Sequence, residues 1–141
     1  MHLYNRAPRL AALFAACLAT LPLAAAETET TISPHDFGEM AEGYTLYFDQ
    51  RGRPYGVEQF LPGQRTIWAF EGDECLEGEW FAIGDAICFE YDGHPGTHCW
   101  TIHDRAGQLR IRALGAMPED DLTLSRRSEE PMFCPGPNVG A

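Results

Sequence analysis

Lysine is absent from this 141-residue chain, and ten arginines stand against 21 acidic residues, for a formal charge of −11. Nucleic acid and anionic lipid are held by dense positive charge, so this balance argues against both as partners. Cys-x-x-Cys pairs are also missing, and the cysteine spacings match no zinc module. No Gly-x-Ser-x-Gly elbow occurs, and Ser33, Ser125 and Ser128 sit in no nucleophile motif. Two acidic stretches are present: Glu71, Asp73, Glu74, Glu77 and Glu79, and then Glu119-Asp120-Asp121. Neither has the spacing of a helical calcium loop, so both read as solvated turns.

The first segment has the three-part order of an export signal. Met1 to Arg9 carries Arg6 and Arg9 without an acid, Leu10 to Leu23 is mainly apolar, and Ala24-Ala25-Ala26 precedes Glu27. That pattern predicts a secretory signal over residues 1–26, cleaved after Ala26, with residues 27–141 forming one domain. Two other readings compete. Leu13-Phe14-Ala15-Ala16-Cys17 resembles a lipoprotein box that would anchor the chain at Cys17, although Phe14 stands where an aliphatic residue is usual. A retained membrane helix would need a longer run, without Thr20 and Pro22. Export therefore predicts a periplasmic or secreted protein with no membrane span after cleavage. Loss of Arg6 and Arg9 would leave a formal charge of about −13.

In an oxidising compartment Cys75, Cys88, Cys99 and Cys134 are expected to form two disulfides, with three connectivities open. One arrangement can be followed through. If Cys88 and Cys99 pair directly across a hairpin, Ile87 faces Trp100, Phe89 faces His98 and Tyr91 faces Gly96, around the loop Asp92-Gly93-His94-Pro95. Ile87, Phe89, Tyr91, Trp100 and Ile102 then share one face, the sulfurs take the other, and Cys75 is left to join Cys134.

Glu27 to Ile32 reads as a flexible leader. Ser33 as N-cap, Pro34 and Asp36 then predict a short helix through Phe37, Met40 and Ala41, stopped by Gly43. Short strands follow at Tyr44–Phe48, Tyr55–Phe60, Arg65–Phe70, Cys75–Phe81, Ala86–Tyr91, His98–His103, Gln108–Leu114 and Leu122–Arg126, separated by Gly- and Asp-rich connectors. Their regular spacing predicts an all-β antiparallel meander, a small barrel or a sandwich, with one short N-terminal helix. Cys134-Pro135-Gly136-Pro137 reads as a rigid turn before a loose tail.

The segments Tyr55–Phe60, Trp68–Gly72, Gly78-Glu79-Trp80, Ile87–Tyr91 and Cys99-Trp100 resemble small exported bacterial proteins of unassigned function. They are also distantly similar to periplasmic domains in which a short helix precedes Gly-x-Thr, here Gly43-Tyr44-Thr45, and a Gly-x-Trp hairpin. The resemblance spans about residues 36 to 102 and rests on structural Gly, Trp and Cys positions. It implies export and a compact β fold and brings no catalytic residue.

The aromatics Trp68, Phe70, Trp80, Phe89 and Trp100 form the most concrete ligand-lining set, although a small β domain also needs such residues as core. A metal reading of His98 and His103 with Asp92 or Asp104 conflicts with strand alternation, since those histidines fall on opposite faces. No metal or cofactor is expected. The expected function is non-enzymatic: a binding or accessory protein of the cell envelope, taking an envelope protein or a small apolar ligand. The alternatives are a small hydrolase using Glu77 with Glu90 or His103 with Asp104, and a protease or lysozyme inhibitor presenting Asp92 to Thr97.

Overall fold

The computed structural model describes residues 27–134; the expected signal segment, Cys17 and the last seven residues lie outside the described residues. Strand β1 (Glu29–Ile32) leads into helix α1 (Pro34–Ala41). The helix starts where the sequence says it should. Ser33 accepts a bond from the Asp36 amide at 3.1 Å, and Pro34 occupies the first turn, where an amide donor is not needed. It ends at Gly43, whose φ of 84° suits a residue without a side chain.

Eight further strands follow: β2 (Thr45–Gln50), β3 (Arg53–Leu61), β4 (Arg65–Phe70), β5 (Leu76–Ile83), β6 (Ala86–Tyr91), β7 (His94–Arg105), β8 (Gln108–Ala113) and β9 (Leu122–Ser128). Each pairs antiparallel with its neighbour in sequence, and β9 returns to pair with β2. The expected meander therefore closes as an eight-stranded barrel, and no sandwich forms. Closure pairs each of these eight strands on both sides.

The segment expected as a loose leader is strand β1. It pairs with the last part of β7, Ile32 opposite Ile102 and Glu29 opposite Arg105. The reason lies in strand length. β6 begins at Ala86, opposite Thr101, so the rest of the long β7 would have an unpaired edge without β1. The Thr-rich, alternating segment satisfies that edge, and its polar composition hid its role.

Inward positions alternate with outward ones, as the pleat requires. Leu46, Phe60, Ile87 and Ile102 are essentially inaccessible to solvent, with Trp68, Phe89 and Ile111 close behind. Helix α1 closes one end by inserting Phe37 edge-on to Phe60, with ring centroids 5.5 Å apart. Burying each such ring contributes roughly 2–3 kcal/mol. Two inward glycines make room for the larger rings. A side chain at Gly56 would overlap the Trp68 indole, and one at Gly78 would overlap the Glu90 carbonyl and the Tyr91 ring.

Both disulfides are present, Cys88–Cys99 across β6 and β7 and Cys75–Cys134 from the tail to the start of β5. Such bonds fit an oxidising, extracellular environment. The tail crosses the barrel wall to reach Cys75. Thr45 donates to the Glu130 carbonyl at 2.8 Å, and the Met132 amide donates to Gln59 Oε1 at 3.2 Å. The hairpin turn differs from the worked register. Ile87 faces Trp100 and Phe89 faces His98 as expected, but Tyr91 faces His94 across a two-residue Asp92-Gly93 turn. The extra residues of β7 bulge at Gly96, whose φ is 106°, and Thr97 bonds the Glu90 carboxylate at 2.7 Å across the irregularity. Asp-Gly favours a tight turn, which the four-residue loop ignored. Among the described residues, no helix is long and apolar enough to cross a membrane.

Candidate functional site

The barrel is not filled to its end. A cavity of about 130 Å³ lies inside it, floored by Phe37, Phe60 and Ile111 and walled by Trp68, Phe89 and Trp100. Tyr55, Phe70, His94 and His98 also line it. Phe70 is 40% exposed, the most open of the aromatic wall, and marks the end away from α1. An engineered cavity of about 150 Å³ with apolar walls stays dry and takes benzene, so this space suits one ring or a short branched chain.

One carboxyl interrupts the apolar wall. Glu58 on β3 is 3% exposed and stands directly opposite Trp68 on β4. The Thr66 hydroxyl donates to its Oε1, and the Tyr91 hydroxyl lies 3.1 Å from Oε1 and 3.0 Å from Oε2. These two hydroxyls favour the ionised form, but burial outweighs them and pushes Glu58 up to about 8 from the usual 4.5. The group therefore holds its proton at neutral pH. Burial and the adjacent Glu58 charge also raise the Tyr91 phenol, so it stays a hydrogen-bond donor.

The rings around this carboxyl are fixed by one another. Tyr91 stacks on Phe89 with centroids 6.1 Å apart and lies 6.4 Å from the His98 ring, and His94 is 5.9 Å from His98. Trp68 meets Phe70 edge-on at 5.3 Å. The cavity is thus a preformed aromatic chamber with one neutral acid inside and two histidines on its lining.

Of the aromatics singled out in the sequence, Trp68, Phe70, Phe89 and Trp100 line this chamber. Trp80 does not. It packs against Phe60 and under Gly38 of α1, and borders a shallow outer groove with His35, Glu39 and Gln64. The structure parts the histidines of the metal reading. His98 faces the chamber, whereas His103 lies 3.2 Å from Glu29 and 2.8 Å from the Thr101 hydroxyl. His103 does not engage Asp104, whose carboxylate instead accepts the Gly107 amide at 2.8 Å and caps that turn. Glu77 and Glu90 sit on exposed wall, the first 3.6 Å from Arg65 and the second bonded to Thr97. Asp92 to Thr97 is exposed turn and bulge.

One acid read as solvated is buried. Asp121 is 4% exposed and accepts from Arg112 at 2.8 and 2.7 Å, while Arg112 also reaches Glu29 at 3.0 and 3.1 Å. Glu29 is held below its usual range by Arg112. Asp120 pairs with Arg51 on the opposite side of the loop. Glu58 was missed for a different reason. In Tyr55-Gly56-Val57-Glu58-Gln59-Phe60 it alternates in phase with Gly56 and Phe60, which marks an inward position. An acid at that phase was the available signal.

No protein-family model matches the chain, no curated protein matches it, and no solved structure does.

Proposed function

We propose that this is an exported, non-enzymatic binding protein of the cell envelope that carries one small, largely apolar ligand inside its barrel. The observation behind the reading is the aromatic chamber with one buried carboxyl, Glu58, in its wall. Specific small-molecule sites combine those two elements: apolar area for affinity and a few fixed polar atoms for orientation. A core residue needs no carboxyl. Replacing Glu58 together with its partners Thr66 and Tyr91 by apolar side chains of similar shape would cost the fold little, because a buried polar group gives little net stability once its partners go with it. A carboxyl at that place in an aromatic wall favours a ligand role.

Export directed by a signal segment at residues 1–26 fits the two disulfides. Catalysis has weaker support. The paired acids offered for hydrolysis stand on exposed wall, and Glu58 has no second carboxyl beside it among the described residues.

Benzyl alcohol, which carries one ring and one hydroxyl, tests the reading by titration with tryptophan fluorescence as the signal. Saturable change, largely removed in Trp68→Phe, supports it. A response that stays linear and unsaturated in concentration overturns it.

A further inference from the structure

We propose that the ligand is a small primary amine, its ammonium docked on the Glu58 carboxylate and its apolar body held among Trp68, Tyr91 and Trp100. The proposal rests on the cavity-binding reading above and names the class of molecule that the cavity takes. It grows from a contrast between two buried carboxyls. Asp121 is 4% exposed and has its counter-charge in place, the Arg112 guanidinium at 2.7 Å. Glu58 is 3% exposed and has only the hydroxyls of Thr66 and Tyr91. No arginine lines its cavity, and the chain has no lysine to offer.

A buried carboxylate without a counter-charge costs several kcal/mol, which hydroxyl donors offset only in part. An entering ammonium supplies the missing charge in a space of low dielectric, where the attraction is strongest. The walls suit the same ion. Aromatic faces draw cations that come within about 6 Å of the ring centre, and Trp does so best. Trp68 stands directly opposite Glu58 in the β3–β4 register, and the Tyr91 ring carries the hydroxyl bonded to it. A carboxylate ligand would find no opposite charge there in either form of Glu58. A neutral alcohol could bond to the protonated Glu58 but would gain nothing from its ionised form. The cavity of about 130 Å³ limits the body to about one ring.

Docking has a proton signature. Burial pushes Glu58 to about 8 in the free protein, so at pH 7 the acid is protonated and must ionise to pair with the ammonium. A primary amine, like a lysine side chain at about 10.4, is already charged at that pH. Binding then releases a proton to the buffer. The other titratable groups lining the cavity are Tyr91, His94 and His98.

The test is isothermal titration calorimetry of the purified protein at pH 7 in phosphate and in HEPES, whose ionisation heats differ. Benzylamine is the probe, and benzyl alcohol is its neutral counterpart of the same shape. Benzylamine is expected to bind at least about tenfold more tightly. Its heat should differ between buffers by the amount for about one released proton, and Glu58→Gln should remove both effects while benzyl alcohol still binds. Selectivity and proton release are read on the unaltered protein, so the outcome does not depend on the variant folding. Benzyl alcohol binding as well as benzylamine, without proton release, overturns the amine proposal and leaves the cavity reading intact. Proton release that persists in folded Glu58→Gln also overturns it, since the proton then comes from a histidine. Failure of both probes to bind overturns the cavity reading and the amine proposal together.

Discussion

The Tyr91 hydroxyl spans both carboxyl oxygens of Glu58, at 3.1 and 3.0 Å, and joins β6 to β3 through the interior of the barrel. These strands are separated in the sheet by β4 and β5, so the bond acts as an internal brace. Removing it leaves a buried acid short of a partner, which costs about 1–3 kcal/mol. Tyr91→Phe is therefore expected to lower stability by that amount in urea unfolding. Because the hydroxyl favours the ionised carboxylate, the variant should also titrate Glu58 at a higher pH, read from its side-chain carbon shift. An unchanged titration would show that the brace does not act on the charge.

Glu58 also gives stability a pH dependence of unusual sign. Its folded value is raised, to about 8 from 4.5, so the folded state binds the proton more tightly than the unfolded chain. The favourable contribution is complete below about pH 4.5 and is lost as pH rises through 8, on the order of 5 kcal/mol in total. Glu29 acts in the other direction and lower window, since Arg112 depresses it. Urea unfolding from pH 5 to pH 8 should show the unaltered protein losing stability relative to Glu58→Gln. Parallel profiles would contradict the burial of an unpaired acid.

The disulfides close loops of different size, 59 residues for Cys75–Cys134 and 11 for Cys88–Cys99. By loop entropy, Cys75→Ala/Cys134→Ala should cost about 4 kcal/mol and Cys88→Ala/Cys99→Ala about 3 kcal/mol. Denaturant unfolding of the two double variants checks the order. A larger loss from the short loop would mean that the packing of the fully buried Cys88 outweighs chain entropy.

Gly56 faces the Trp68 indole so closely that no side chain fits without moving it. Gly56→Ala is expected to cost about 1–3 kcal/mol through overpacking and to alter near-ultraviolet circular dichroism as Trp68 shifts into the chamber. It should weaken benzyl alcohol binding for the same reason. Unchanged spectra and binding would place the indole elsewhere.

Much of the fold was legible because one physical rule carries it. Inward residues alternate with outward ones, and turn residues punctuate the strands, so the Cys88–Cys99 hairpin could be registered from sequence alone as far as Phe89 opposite His98. What stayed hidden depends on long-range geometry. β1 forms only because β7 outruns β6, and nothing local in Glu29–Ile32 announces a free edge so far along the chain. Asp121 looked solvated because it lies in a loop and its partner Arg112 sits on β8. The chamber was legible as a list of aromatics but not as a space. Trp80 has the same inward phase as Trp68's neighbours, yet α1 presses on it at Gly38 and takes it out of the lining. Glu58 could have been found, since an acid in phase with Gly56 and Phe60 must point inward.

The most direct test of a ligand-carrying barrel is a crystal structure of the protein grown with benzyl alcohol. The ring should be bound inside the barrel between Trp68 and Trp100, with its hydroxyl within hydrogen-bonding distance of Glu58. Density for the probe only in the outer groove beside Trp80, with the chamber empty or collapsed, would contradict it.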